Sequence, residues 1–142
     1  MKAKAMIPCI GYKDAPAAIE WLCKALGFEK HLIVPGKNNT IDHAQLTLGD
    51  AMIMTFSSNR DSPYRFRTNT PSENGGKETQ SPYVILDDSD LDAHYKMAKA
   101  AGAKIIMELK EEDYGGRNYS CYDLEGHLWN FGSYDPWTDK QS

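Results

Sequence analysis

Apolar residues at Ile19, Leu22, Cys23 and Leu26 follow an i, i+3, i+4, i+7 spacing, which places all four on one face of a helix. Asp14 stands where an N-cap belongs, Pro16 falls in the first turn, and Gly27 supplies a left-handed stop. A helix is therefore predicted over residues 14–27. Ser89 followed by Asp92 has the form of a capping box, and Leu91, His94, Tyr95, Ala98 and Ala101 then keep helical spacing up to Gly102. This predicts a second helix, whose stop glycine lies 75 residues after the first.

The same order of strand-like runs surrounds each helix. One apolar run precedes it (residues 6–12 and 83–86) and three follow it: 28–34, 41–48 and 51–56 in the first half, and 104–109, 118–123 and 127–131 in the second. Pro35-Gly36, Gly49-Asp50, Gly115-Gly116 and Glu125-Gly126 mark the turns. The last strands of the two halves start 76 residues apart, matching the helix offset within one residue. The chain reads as an α+β protein built from two tandem βαβββ modules, over residues 1–57 and 81–134. Residues 58–80 are rich in Ser, Asn, Thr, Pro and Gly and carry almost no aliphatic side chain, so they are expected to be a linker, or alternatively a flap. Residues 135–142 form a tail; Tyr134 just before it and Trp137 within it suggest docking on the body or on a partner subunit.

Composition narrows the function classes. With 142 residues, 41% apolar and 25% charged, the chain suits one globular unit. A net charge of −4 without a basic patch argues against nucleic acid as a partner. No apolar stretch approaches the roughly 20 residues of a membrane span. The three cysteines, Cys9, Cys23 and Cys121, form no CxxC pair, so neither a disulfide framework nor a structural zinc site is expected, and the default location is the reducing cytoplasm.

Several strings, in this order and spacing, resemble the vicinal oxygen chelate superfamily of glyoxalases, bleomycin-resistance proteins and extradiol dioxygenases. They are Asp14-Ala-Pro-Ala-Ala-Ile-Glu-Trp-Leu, Leu26-Gly27-Phe28, Leu48-Gly49-Asp50, Ala101-Gly102-Ala103 and Asp123-Leu-Glu-Gly-His-Leu-Trp. The last string has Leu124 where the family more often has proline. The resemblance implies curved, antiparallel-rich mixed sheets, each with its helix on the convex face, around a concave cavity. It also implies a homodimer.

Alternation along a strand decides which side chains can reach that cavity. In 41–48 the set Ala44, Leu46 and Leu48 suits the helix side, which leaves His43, Gln45 and Thr47 for the cavity. Met52, Met54 and Phe56 share one side of the next strand, and the resemblance, through the superfamily's metal positions, implies that this is the cavity face, as it does for Leu128 and Asn130 in the second module. Tyr114, Arg117, Tyr119 and Tyr122 cluster before the Asp123 turn; Arg117 and Tyr119 are taken as ligand-binding candidates, while Trp21 and Trp129 are expected to pack under the helices. The superfamily's enzymes hold a divalent metal with His, Gln or Glu on the first and last strand of each module. Those positions correspond here to Ile7, Met54, Pro82 and Asn130, a set without carboxylate or imidazole. No metal and no cofactor are therefore expected. His31, His94 and His127 read as surface or packing residues. His43 remains a candidate ligand contact or general base, although no nucleophile or orienting carboxylate stands with it.

Together these features suggest a small-molecule-binding protein similar to the bleomycin-resistance branch, with a planar or cationic ligand held in a metal-free cavity. The alternative is a vicinal-oxygen-chelate enzyme, a lyase or dioxygenase, with a displaced metal site or a metal-free centre at His43. An interaction module with an empty cavity is a third class.

Overall fold

The computed structural model describes residues 1–138. The chain runs β1 (Cys9–Tyr12), α1 (Ala15–Leu26), β2 (Glu29–Pro35), β3 (Ile41–Leu48) and β4 (Ala51–Ser57), then a short 3-10 turn (Pro71–Asn74). A second set follows: β5 (Tyr83–Ile85), α2 (Asp88–Ala100), β6 (Lys104–Glu111), β7 (Arg117–Tyr122) and β8 (Leu128–Gly132). Each set is a four-stranded mixed sheet, ordered β1-β4-β3-β2 and β5-β8-β7-β6. In each, the first strand returns parallel to the last and the other pairs are antiparallel. The chain is thus an α+β protein with two βαβββ sheets.

The punctuation of α1 follows its sequence. Asp14 Oδ1 accepts from the N–H of Ala17 at 3.2 Å, and Gly27 adopts φ +80°, a conformation that a residue with a Cβ takes only under strain. Its apolar face, with Ile19, Leu22 and Leu26, is buried. The start of α2 differs from expectation. The helix begins at Asp88 behind Asp87, and the Ser89–Asp92 box does not form, because Asp88 and Asp92 both turn to the Arg117 guanidinium. The first strand is also shorter than predicted. Residues 6–8 lie outside the ladder, and the Pro8 carbonyl joins it by accepting from Met54 N–H at 2.9 Å.

The two modules share one core. Trp21 Nε1 donates to the Ala101 carbonyl at 2.8 Å, and His94 Nε2 lies 2.8 Å from the Leu26 carbonyl, so α1 and α2 are bonded across the module boundary. Below them Phe28 meets Trp129 edge-on and Trp129 stacks with Phe131. Asp123 joins the modules from the other end: Oδ2 accepts from Tyr12 Oη at 2.7 Å and Trp129 Nε1 at 3.0 Å, while Oδ1 accepts from the N–H groups of Glu125 and His127. Glu125 in turn accepts from the N–H groups of Lys13 and Asp14. Because the modules meet through helices and turns, the opposite faces of both sheets stay open.

Candidate functional site

The open face of the first sheet is built by strand alternation. On β4, Ile53, Thr55 and Ser57 are buried beneath α1, which turns Met52, Met54 and Phe56 outward, all three half-buried. Across the ladder Gln45 stands opposite Met54 and Thr47 opposite Met52. The next strand extends the surface, with Leu32 opposite Gln45 and Val34 opposite His43. The sequence-predicted residues His43, Gln45, Met52, Met54 and Phe56 therefore share one face.

Its chemistry is mostly apolar with one polar pair. Gln45 Nε2 lies 3.0 Å from His43 Nε2. In this pair the amide nitrogen is the donor and the imidazole nitrogen the acceptor. Phe56 lies close over β1 because residue 11 is glycine; a Cβ there would stand 2.8 Å from the ring. Arg60 stacks on Phe56 at 3.7 Å from the ring centroid, and partial burial lowers its pKa. One face of Phe56 is thus already covered by a cation.

In the second module only part of the expected set is on the open side. Leu128 and Asn130 are half-buried there, with Tyr122 opposite Leu128 and Ser120 opposite Asn130. Tyr119 is fully buried on the helix side: its hydroxyl is 2.6 Å from His94 Nδ1, its ring stacks with Phe131, and burial pushes its pKa up. Arg117 has the same parity and caps the start of α2, 2.9 Å from Asp88 Oδ1 and 3.1 Å from Asp92 Oδ2. These two candidates do not reach the concave face. The decisive signal was the pairing of Cys121 with Trp129: once Trp129 packs under α2, Cys121 and every second residue before it must do the same. Tyr114 is exposed and edge-on to Tyr134.

The four positions implied for a metal offer no matching donor set. Ile7 and Pro82 lack donor atoms and Met54 presents a thioether. Asn130 is already engaged: Oδ1 accepts from Ser120 Oγ at 2.7 Å, and Nδ2 donates to Ser81 Oγ and the Pro82 carbonyl. Among the described residues, no three His, Cys, Asp or Glu side chains gather where they could hold an ion. A hard divalent metal does not fit these residues.

Residues 67–82, within and just beyond the segment read as a linker or alternatively a flap, contribute a second concavity. It measures about 470 Å³ and lies between these residues, the start of β1 and the start of β8. Phe56 and Leu128 of the expected site adjoin it; His43, Gln45, Met52, Met54 and Asn130 do not line it. The covering segment is held by Glu78, whose carboxylate oxygens both lie 3.2 Å from His127 Nδ1, while His127 Nε2 is 2.8 Å from the Gly11 carbonyl. His127 is buried, as a packing reading of it requires.

This arrangement of two βαβββ sheets can be set beside known proteins. The family model of the Glyoxalase/Bleomycin resistance protein/Dioxygenase superfamily matches residues 7–131. The chain belongs to that superfamily. It is 30% identical over 131 residues to the uncharacterized protein Rv0887c of Mycobacterium tuberculosis, a match covering 90% of this chain and 73% of the relative. The crystal structure of TioX from Micromonospora sp. ML1 is similar at 32% identity with a TM-score of 0.67, covering 92% of this chain and 98% of that one. The fosfomycin resistance protein FosX from Listeria monocytogenes, in a structure with Mn(II) and a phosphonic acid, shares the fold at TM-score 0.70 and 13% identity, over 96% of this chain and 94% of that chain. No helix among the described residues is long and apolar enough to cross a membrane.

Proposed function

We propose that this superfamily member binds a small planar or cationic molecule on its concave faces without a metal ion, and acts by holding that molecule rather than transforming it. The observation that carries this reading is the shared face of Met52, Met54, Phe56, His43 and Gln45: thioether and aromatic surface with one oriented amide–imidazole pair, the composition of a small-molecule site. Among the described residues His43 makes no ion pair with a carboxylate, and its side-chain partner is the Gln45 amide. A net charge of −4 favours cations at long range. Arg60 opposes that locally at Phe56, so the ligand's ring is assigned to the Met52–Met54 end.

A homodimer would complete the cavity. Leu32, Val34, Tyr83, Ile85 and Met107 are each about two-fifths exposed. Open apolar faces of this kind are unusual on a monomer and suit pairing with a second copy. The test uses ethidium, a planar cation whose fluorescence rises in apolar surroundings. Micromolar binding is expected, weakened about fivefold or more by either His43→Ala or Met54→Ala. Unchanged binding in both variants, or no binding by the parent protein, would overturn the proposal.

A further inference from the structure

We propose that residues 67–82 are a flap, and that the cavity beneath it takes a second kind of ligand: a small anion with a flat apolar body. The flap is built and anchored. Thr70 is fully buried, with its N–H and hydroxyl both donating to Glu73 Oε1 at 2.9 and 2.6 Å. Pro71 behind it is buried, and the left-handed Gly75 and Gly76 turn the chain back toward Glu78. Glu78 then fastens the far end to His127, which reaches the Gly11 carbonyl of the other module. A mere linker would need none of these contacts.

The lining defines the ligand. Its formally charged side chains are Arg67, Lys77 and Glu78, and His127 lies beside Glu78. Arg67 and Lys77 have no carboxylate within 4.0 Å among the described residues. The cavity therefore holds two cations without a direct carboxylate partner against one carboxylate, an excess of positive charge in a chain whose net charge is −4. Phe56 and Leu128 supply the apolar wall, and amide and hydroxyl groups along the flap complete the polar rim. An aromatic carboxylate or sulfonate matches this layout, with its ring against Phe56 and Leu128 and its charge toward Arg67 and Lys77.

Two probes with the same rings separate charge from shape: 8-anilinonaphthalene-1-sulfonate and its neutral parent N-phenyl-1-naphthylamine. At low salt the parent protein is expected to bind one sulfonate per chain about tenfold more tightly than the neutral compound, a preference that added salt reduces. Arg67→Ala/Lys77→Ala should abolish the preference while leaving the neutral compound's affinity within twofold. Both side chains are exposed, so the variant keeps its fold. His43→Ala, which reports on the concave face, should leave the sulfonate affinity unchanged. Equal binding of the two probes by the parent protein, a preference that survives the double substitution, or loss of sulfonate binding in His43→Ala would overturn the proposal.

Discussion

Asp123→Ala removes a carboxylate that four donors share, and the structure lets its cost be worked out. Two of those donors, Tyr12 Oη and Trp129 Nε1, belong to side chains with no solvent exposure, so water cannot replace the lost acceptor. Each orphaned buried donor costs about 1–3 kcal/mol. The N–H groups of Glu125 and His127 lose their acceptor as well, in a turn that water can partly reach. A loss of about 3–5 kcal/mol follows, a large part of the roughly 5–15 kcal/mol that a domain possesses. With a urea slope of about 2 kcal/mol per molar, the midpoint should fall by about 2 M. Tyr12→Phe alone should cost less, because it removes donor and bond together. In the Asp123→Ala background it should cost still less, leaving a coupling above about 1 kcal/mol. A midpoint shift under about 0.5 M, or strict additivity of the two substitutions, would refute the claim that this carboxylate joins the modules.

Other outcomes follow from buried titratable groups. His94 is held neutral between the Tyr119 hydroxyl and the Leu26 carbonyl, and burial lowers its pKa from 6.5. Because the unfolded chain then binds the extra proton first, this contribution is complete above about pH 6.5 and lost as pH falls below it. Urea midpoints at pH 7.5 and 5.0 should therefore differ less for His94→Leu/Tyr119→Phe than for the parent protein; equal differences would contradict this. Cys121 is fully buried and its thiol is pushed up to about 12, whereas Cys9 is exposed. A disulfide reagent such as Ellman's should modify Cys9 at once and Cys121 only on unfolding, as peptide mapping would show. Arg117→Ala breaks ion pairs to the exposed carboxylates of Asp88 and Asp92 and a hydrogen bond to the Asp88 carbonyl, so it should cost about 1 kcal/mol in urea and leave ethidium affinity unchanged.

The repeat was legible because local rules and tertiary packing agree in it. Gly27 and Gly102 both take the left-handed conformation expected of helix stops, and β3 spans the residues its alternation marks, Ile41–Leu48. The face bearing His43 and Gln45 was readable because the other side of β3 is aliphatic; on β4, where Thr55 and Ser57 are buried and Met52, Met54 and Phe56 face outward, alternation paired the residues and the family resemblance chose the side. In β7 both parities carry aromatic or polar residues, so alternation alone could not turn Tyr119 inward; pairing of Cys121 with Trp129 does. The Ser89 cap failed because capping competes with a guanidinium that is distant in sequence. Glu78 with His127 is separated by 49 positions, and no periodicity links two such residues.

The most direct test of metal-free binding is one calorimetric titration with ethidium, run on protein dialysed against a chelator and on the same protein after an equivalent of Mn(II) is added. The donor chemistry at Ile7, Met54, Pro82 and Asn130 predicts the same micromolar dissociation constant within twofold in both, with the same stoichiometry. Binding that vanishes on chelation and returns with Mn(II) would contradict it.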